Sequence, residues 1–167
     1  MGSYDDFLGI YKYLREDEQL LRLLHYPPED LSNDIPDPLS PSLENILDKD
    51  IEELADIRNE HIMKSIKDDD LVTKKICRLY LYPGRRSPKN NNYLLANQEI
   101  VIDLFVHIDI ENGDFRVSRI NDRLNELFVL NHVAGASSTD YVEGTPRSAP
   151  QNYTGYESVF TFMTRKS

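Results

Sequence analysis

With one cysteine, Cys77, in 167 residues, the chain can form no internal disulfide. A small disulfide-stapled scaffold is excluded, and folding in a reducing cytosol, or without any staple, is expected. No apolar run approaches the roughly 20 residues that span a bilayer. The opening MGSYDDFLGI is acidic, where a secretory signal would begin with basic residues. Basic side chains are scarce overall: 19 Lys and Arg stand against 29 Asp and Glu, a formal charge of −10, which argues against a general grip on nucleic acid. Also missing are a P-loop, a G-x-G-x-x-G turn and a G-x-S-x-G elbow. What is present points to a folded domain. Hydrophobic residues make up 40% of the chain, with ten Tyr and six Phe, too many for wholesale disorder. The length fits one domain spanning 1–167, long enough to bury roughly 70% of its unfolded surface.

Charge is unevenly spread. Residues 1–70 hold 19 acidic and 7 basic side chains, and residues 71–167 hold 10 acidic and 12 basic. The halves therefore attract each other, either within one fold or between copies packed head to tail, unless the acidic half serves only solubility.

Periodicity predicts the elements. Phe7, Ile10, Tyr11 and Leu14, then Leu20, Leu21 and Leu24, give a helix over 3–25 with a kink or junction at the polar REDEQ break (15–19). Pro27 and Pro28 stop it, and five of the nine prolines lie within 26–42, which reads as an extended connector. A helix is expected over 43–64 on Leu43, Ile46, Leu47, Ile51, Leu54, Ile57 and Ile62, although 62–66 can equally begin a strand. Residues 73–83 and 97–110 alternate with period two, so Ile100, Ile102, Leu104, Val106, Ile108 and Ile110 share a core-facing side. Val101, Asp103, Phe105, His107 and Asp109 face the other way, toward water or another subunit. Between these strands, 84–96 reads as a long hairpin tip. Val117, Ile120, Leu124, Leu127 and Phe128 form the buried stripe of a helix over 115–130, with Arg116, Arg119 and Arg123 outside it. Two more strands are expected at 136–145 and 156–165. The fold class that follows is α+β in two layers: an antiparallel four-stranded sheet packed with two or three helices.

Chemistry is sparsely marked. Asp103, His107 and Asp109 share a strand face, but donors 6–7 Å apart do not converge on one ion, so the plain reading is a polar strand face. A small metal-dependent nuclease or hydrolase using these residues, with Glu99 near Asp103, is the rival reading. His25 and His132 end predicted helices, where an imidazole serves the C-terminal pole; His61 has no second histidine four residues on. Cys77 lies on the aliphatic side of its strand, as a small core residue. No catalytic residue, metal ligand or cofactor is assigned. The cluster Arg85, Arg86 and Lys89 with Tyr93 at the hairpin tip is the candidate contact for a neighbouring subunit or partner.

The strings IYKYLREDEQLLRLL (10–24), CRLYLYPGRRSPKNNNYLLANQEIVIDLFVHIDI (77–110), FRVSRINDRLNELF (115–128) and GYESVFTFMT (155–164) resemble the tail terminator, or tail-completion, proteins of long-tailed bacteriophages. That resemblance implies a non-enzymatic virion protein, made in the host cytoplasm and placed at the neck. It implies a ring, typically a hexamer, that ends tail-tube polymerisation and meets the head-side connector or stopper, while DNA passes through its lumen without specific binding. No membrane contact is implied. A head-side adaptor or stopper is the sister reading within the same class; apart from the resemblance, a regulatory binding module whose proline-rich segment meets a partner is a third reading.

Overall fold

The computed structural model describes residues 3–89 and 92–165. The first apolar stripe folds as two helices, α1 (Ser3–Arg15) and α2 (Glu18–His25), jointed at the polar break. Asp17 makes the joint. Its carboxylate accepts the Leu20 N–H at 2.9 Å and so caps α2. The same carboxylate is gripped at 2.6 and 2.9 Å by Arg123, 106 residues further along the chain.

The helix expected over 43–64 is cut short. A 3-10 turn at Ile46–Asp48 is followed by α3 (Ile51–His61), because Asp50 takes the N–H groups of Glu52 and Glu53 and restarts the helix. Ile46 and Ile57 enter the core, whereas Ile51, placed on the apolar stripe by sequence, is 87% exposed. The chain then leaves α3 as a short strand, β1 (Ile62–Met63).

Four longer elements of sheet follow: β2 (Cys77–Lys89), β3 (Asn92–His107), β4 (Asp140–Arg147) and β5 (Tyr153–Arg165). Their spatial order is β1-β2-β3-β5-β4, with β1 parallel to β2 and every other pair antiparallel. The sheet is therefore five-stranded and mixed, not four-stranded and antiparallel. The added strand, Ile62–Met63, lies where the sequence allowed 62–66 to begin a strand in place of the helix end.

Cys77, Leu79, Leu81, Ile100, Ile102, Leu104 and Val106 line one sheet face and pack on α1, α2 and a later helix, α5 (Arg116–Phe128). Each fully buried aliphatic side chain here contributes about 1.5–3 kcal/mol. β3 ends three residues earlier than its alternation predicts. His107 Nδ1 accepts the Asp109 N–H at 3.1 Å and caps a short helix, α4 (Ile108–Asp114), so Asp109 leaves the strand face. Within α5, Ile120, Leu124, Leu127 and Phe128 are buried as expected, but Arg116 is buried as well, 0% exposed, contrary to its predicted place outside the stripe.

The opposite sheet face is partly covered by its own chain, where sequence pointed to water or a second subunit. Leu71, Tyr80, Phe105 and Tyr153 form a second, smaller core under residues 64–76 and 148–153. Tyr80 donates its hydroxyl to the Lys67 carbonyl, Tyr153 to that of Lys74, and Arg78 holds Asp70 at 2.8 and 3.0 Å. The proline-rich connector is likewise fastened. Arg22 donates to the carbonyls of Pro38, Ser40 and Leu43, and Arg119 holds the Asp37 carboxylate with two bonds of 2.9 Å. Much of the attraction between the acidic and basic halves is thus spent inside one fold, through Asp17–Arg123, Asp37–Arg119 and Asp70–Arg78.

His61, at the end of α3, is 4% exposed and its Nδ1 lies 2.7 Å from the Cys77 carbonyl. Burial is the main cause that lowers its pKa to about 4. An unfolded chain takes up that proton near pH 6.5, so the native state loses stability as pH falls from there toward 4. In the presence of a chelator, urea unfolding at pH 7 and 4.5 should show the wild type losing about 2–3 kcal/mol more than His61→Gln, whose amide can still donate to Cys77. Equal acid losses in the two proteins would contradict this role.

Candidate assembly surface

Residues 84–96, expected as a hairpin tip, are mostly strand. The β2–β3 ladder runs on through Arg86↔Gln98, Ser87↔Asn97 and Pro88↔Ala96, and β5 follows β3 out to Leu95↔Arg165. One extra residue on β2 between Pro83 and Arg86 makes a bulge. Gly84 occupies it because a Cβ there would sit 2.8 Å from Val101 and 2.9 Å from the Glu99 Cβ. The bulge turns the Arg85 N–H onto the Glu99 carboxylate at 3.0 Å. Arg85, Arg86 and Lys89 are all exposed along this arm. Among the described residues Arg85 and Lys89 have no ion-pair partner. Tyr93, the fourth predicted contact residue, lies in β3 by its backbone; its side chain falls outside the described residues.

Beside the arm, the outer edge of β2 is matched by β1 only at Leu79 and Tyr80. Next to it Phe7, Leu8 and Tyr11 of α1 meet Lys64, Leu81 and Pro83 around an apolar groove of about 230 Å³. At the other end of the sheet β4 is an edge strand, paired only with β5. It presents Tyr141 and Val142, 46% and 45% exposed, between exposed Asp140 and Glu143. The sheet therefore has Arg85 and Arg86 beside an apolar groove at one edge and an acidic, apolar-centred strand at the other, while Lys89 at the end of the arm lines a cavity that Asp140 of the same chain also lines. Sequence reading picked out the first through its clustered Arg and Lys. It missed the second, because 136–145 reads as an ordinary strand and only topology makes it an edge.

The residues of the nuclease reading do not converge. Asp103 is fully buried, and its Oδ2 accepts from Tyr82 and from Arg147. His107 caps α4, and Asp109 pairs with Lys75 at 2.9 Å on that helix. No group of three or more His, Cys, Asp or Glu placed to hold a metal ion occurs among the described residues. Among the described residues no standing donor reaches buried Asp103 Oδ1, and Glu157 stands directly across the β3–β5 ladder from it. Burial first, and then Asp103, raises the Glu157 pKa; burial first, and then the bond to Asp103, raises that of Tyr82. This cluster pins β4 and the 148–153 loop to the sheet through Arg147, a structural task. The proline-rich segment of the regulatory-module reading is not a free arm either, since Arg22 and Arg119 hold it to the body.

Comparison with known proteins supplies the class. The family model described as YomW matches residues 17–162, and the chain belongs to that family. Across 168 aligned residues, covering 98% of each chain, it is 35% identical to the SPbeta prophage-derived protein YomW of Bacillus subtilis strain 168. The chain is thus tied to a bacteriophage-derived family.

Proposed function

We propose that this chain is a structural virion protein that forms a ring at the head-proximal end of a phage tail. There it ends tail-tube polymerisation and joins the tail to the head-side connector or stopper. The observation that carries the reading is the pair of unlike sheet edges on a member of a phage-derived family. One subunit's Asp140–Glu143 strand faces the next subunit's Arg85, Arg86 and Lys89, with Tyr93 on the same arm, while Tyr141 and Val142 seat against the groove at Phe7, Tyr11 and Leu81. Such a contact joins one patch to a different patch, so it repeats head to tail and closes into a ring when the rotation per subunit fits. Pro83, Pro88 and Pro146 lack the N–H a continuous ladder needs, so side chains carry the contact and open-ended strand addition is discouraged. Six copies would carry a formal charge of −60, and a lumen of that sign lets DNA pass without sticking.

The test is a charge reversal in pairs. Adding the wild-type protein to polymerising tail-tube protein should shorten the tubes and leave density on one end. Asp140→Lys with Glu143→Lys should abolish this, as should Arg85→Glu with Lys89→Glu. All four changes together should restore it. Tubes of unchanged length with no bound protein would overturn the proposal.

A further inference from the structure

We propose that His25 and His61 form a two-histidine chelate for a borderline divalent transition ion, Zn²⁺, Ni²⁺ or Cu²⁺, clasping α2 to α3 and β2. The two imidazoles stand 36 positions apart in sequence, yet His25 Nδ1 lies 3.4 Å from His61 Nε2. Two nitrogens that each bind one tetrahedral ion at about 2.0–2.1 Å are themselves roughly 3.3–3.4 Å apart. The observed spacing, that of a hydrogen bond between the two rings, is thus also the spacing of two ligands on a single metal.

The tautomers agree with this. His61 Nδ1 lies 2.7 Å from the Cys77 carbonyl, which can only accept, so that nitrogen carries the proton and Nε2 presents its lone pair to His25. A backbone carbonyl behind a ligating imidazole is the usual way such a ring is aimed and held. The rings cross at 76°, and His25 is exposed, so the ion has a path from solvent.

Electrostatics favour a cation at this point. His25 ends α2 and His61 ends α3, so two helix C-terminal poles converge on the site. Of the charged groups facing it, Glu53 and Glu60 assist an ion, while Lys49 and Arg78 oppose it. Deep burial of His61, and partial burial of the His25 ring with Lys49 nearby, lower both imidazoles from their ordinary value, which reduces proton competition for the lone pairs. Without metal, His25 Nδ1–H donates to His61 Nε2. On binding, the His25 proton moves from Nδ1 to Nε2 of the same ring, and no net proton is released. Water fills the remaining coordination positions.

The full-length protein, stripped with chelator, is titrated with ZnCl₂, NiCl₂ and CuCl₂ separately by calorimetry and thermal melting. One ion per chain is expected, raising Tm by about 5–10 °C at a hundredfold excess over Kd. Cu²⁺ spectra should show two imidazole nitrogens. His25→Ala, a surface change, should abolish the Tm rise while leaving the metal-free fold intact. His132→Ala should change nothing. No heat and no Tm shift in the wild type would overturn the proposal, as would binding that survives in His25→Ala. Neither result bears on ring formation, which involves other residues.

Discussion

Arg116→Ala should cost about 3–5 kcal/mol of folding stability, and the loss should be global. The guanidinium is fully buried between α2 and α5. It donates to the Leu23 and Tyr26 carbonyls at 2.5 and 2.8 Å and to the Asp114 carboxylate at 2.8 Å. Those carbonyls lie at the end of α2, where the last helical acceptors have no partner within the helix. Truncation therefore strips two carbonyls of their shared donor and leaves the Asp114 carboxylate to Arg119 alone. Arg116→Lys should recover only part of the loss, because one ammonium cannot span a fork that faces four oxygens, both of Asp114 and the carbonyls of Leu23 and Tyr26. Urea unfolding, with hydrogen exchange across the core, measures both. A loss under about 1 kcal/mol would mean that water replaces the guanidinium freely.

Arg78→Ala should be comparably costly, about 3–5 kcal/mol, but its damage should begin locally. Arg78 is also fully buried. It donates to the carbonyls of Glu60 and Lys67 at 2.8 and 3.2 Å and to both oxygens of Asp70. That pairing, with Arg78 as the largest cause, holds the Asp70 carboxyl well below the usual carboxylate range. The arginine is thus the rivet of the segment 64–76, which covers Leu71, Tyr80 and Phe105. Without it, amide exchange should rise first over 64–76 and β1, while α1, α2 and α5 keep their protection until global unfolding. Uniform loss of protection would show that the cover and the main core are one cooperative unit.

These two arginines also show where sequence stops being informative. The apolar stripe of α5 and the alternation from Ile100 to Val106 are legible because burial repeats at the period of the element. The joint at Asp17 is partly legible too, since the polar break that interrupts the leucine stripe contains a good capping residue. The same kind of signal was available at Asp50, followed three residues later by Glu53, and it marks the true start of α3. Arg116 and Arg78 offer no such signal. Their partners are largely backbone carbonyls in distant segments, and nothing local separates a buried arginine from a solvated one. The end of β3 was hidden for a related reason: Ile108 and Ile110 continue the alternation, while the helix start depends on an imidazole acting as a cap. His25 and His61 looked isolated because only the packing of α2 against α3 brings them together. Among the site residues, the basic arm was visible as a cluster, but the acidic β4 strand becomes an edge only through the order β3-β5-β4.

The proposed role at the tail end is tested most directly by imaging phage particles made with the intact gene beside particles made without it. With the gene, labelled chain should form a single ring between capsid and tail. Without it, tails should be overlong and unattached to heads. Tails of normal length joined to heads in its absence, or label found elsewhere on the particle, would contradict the assignment.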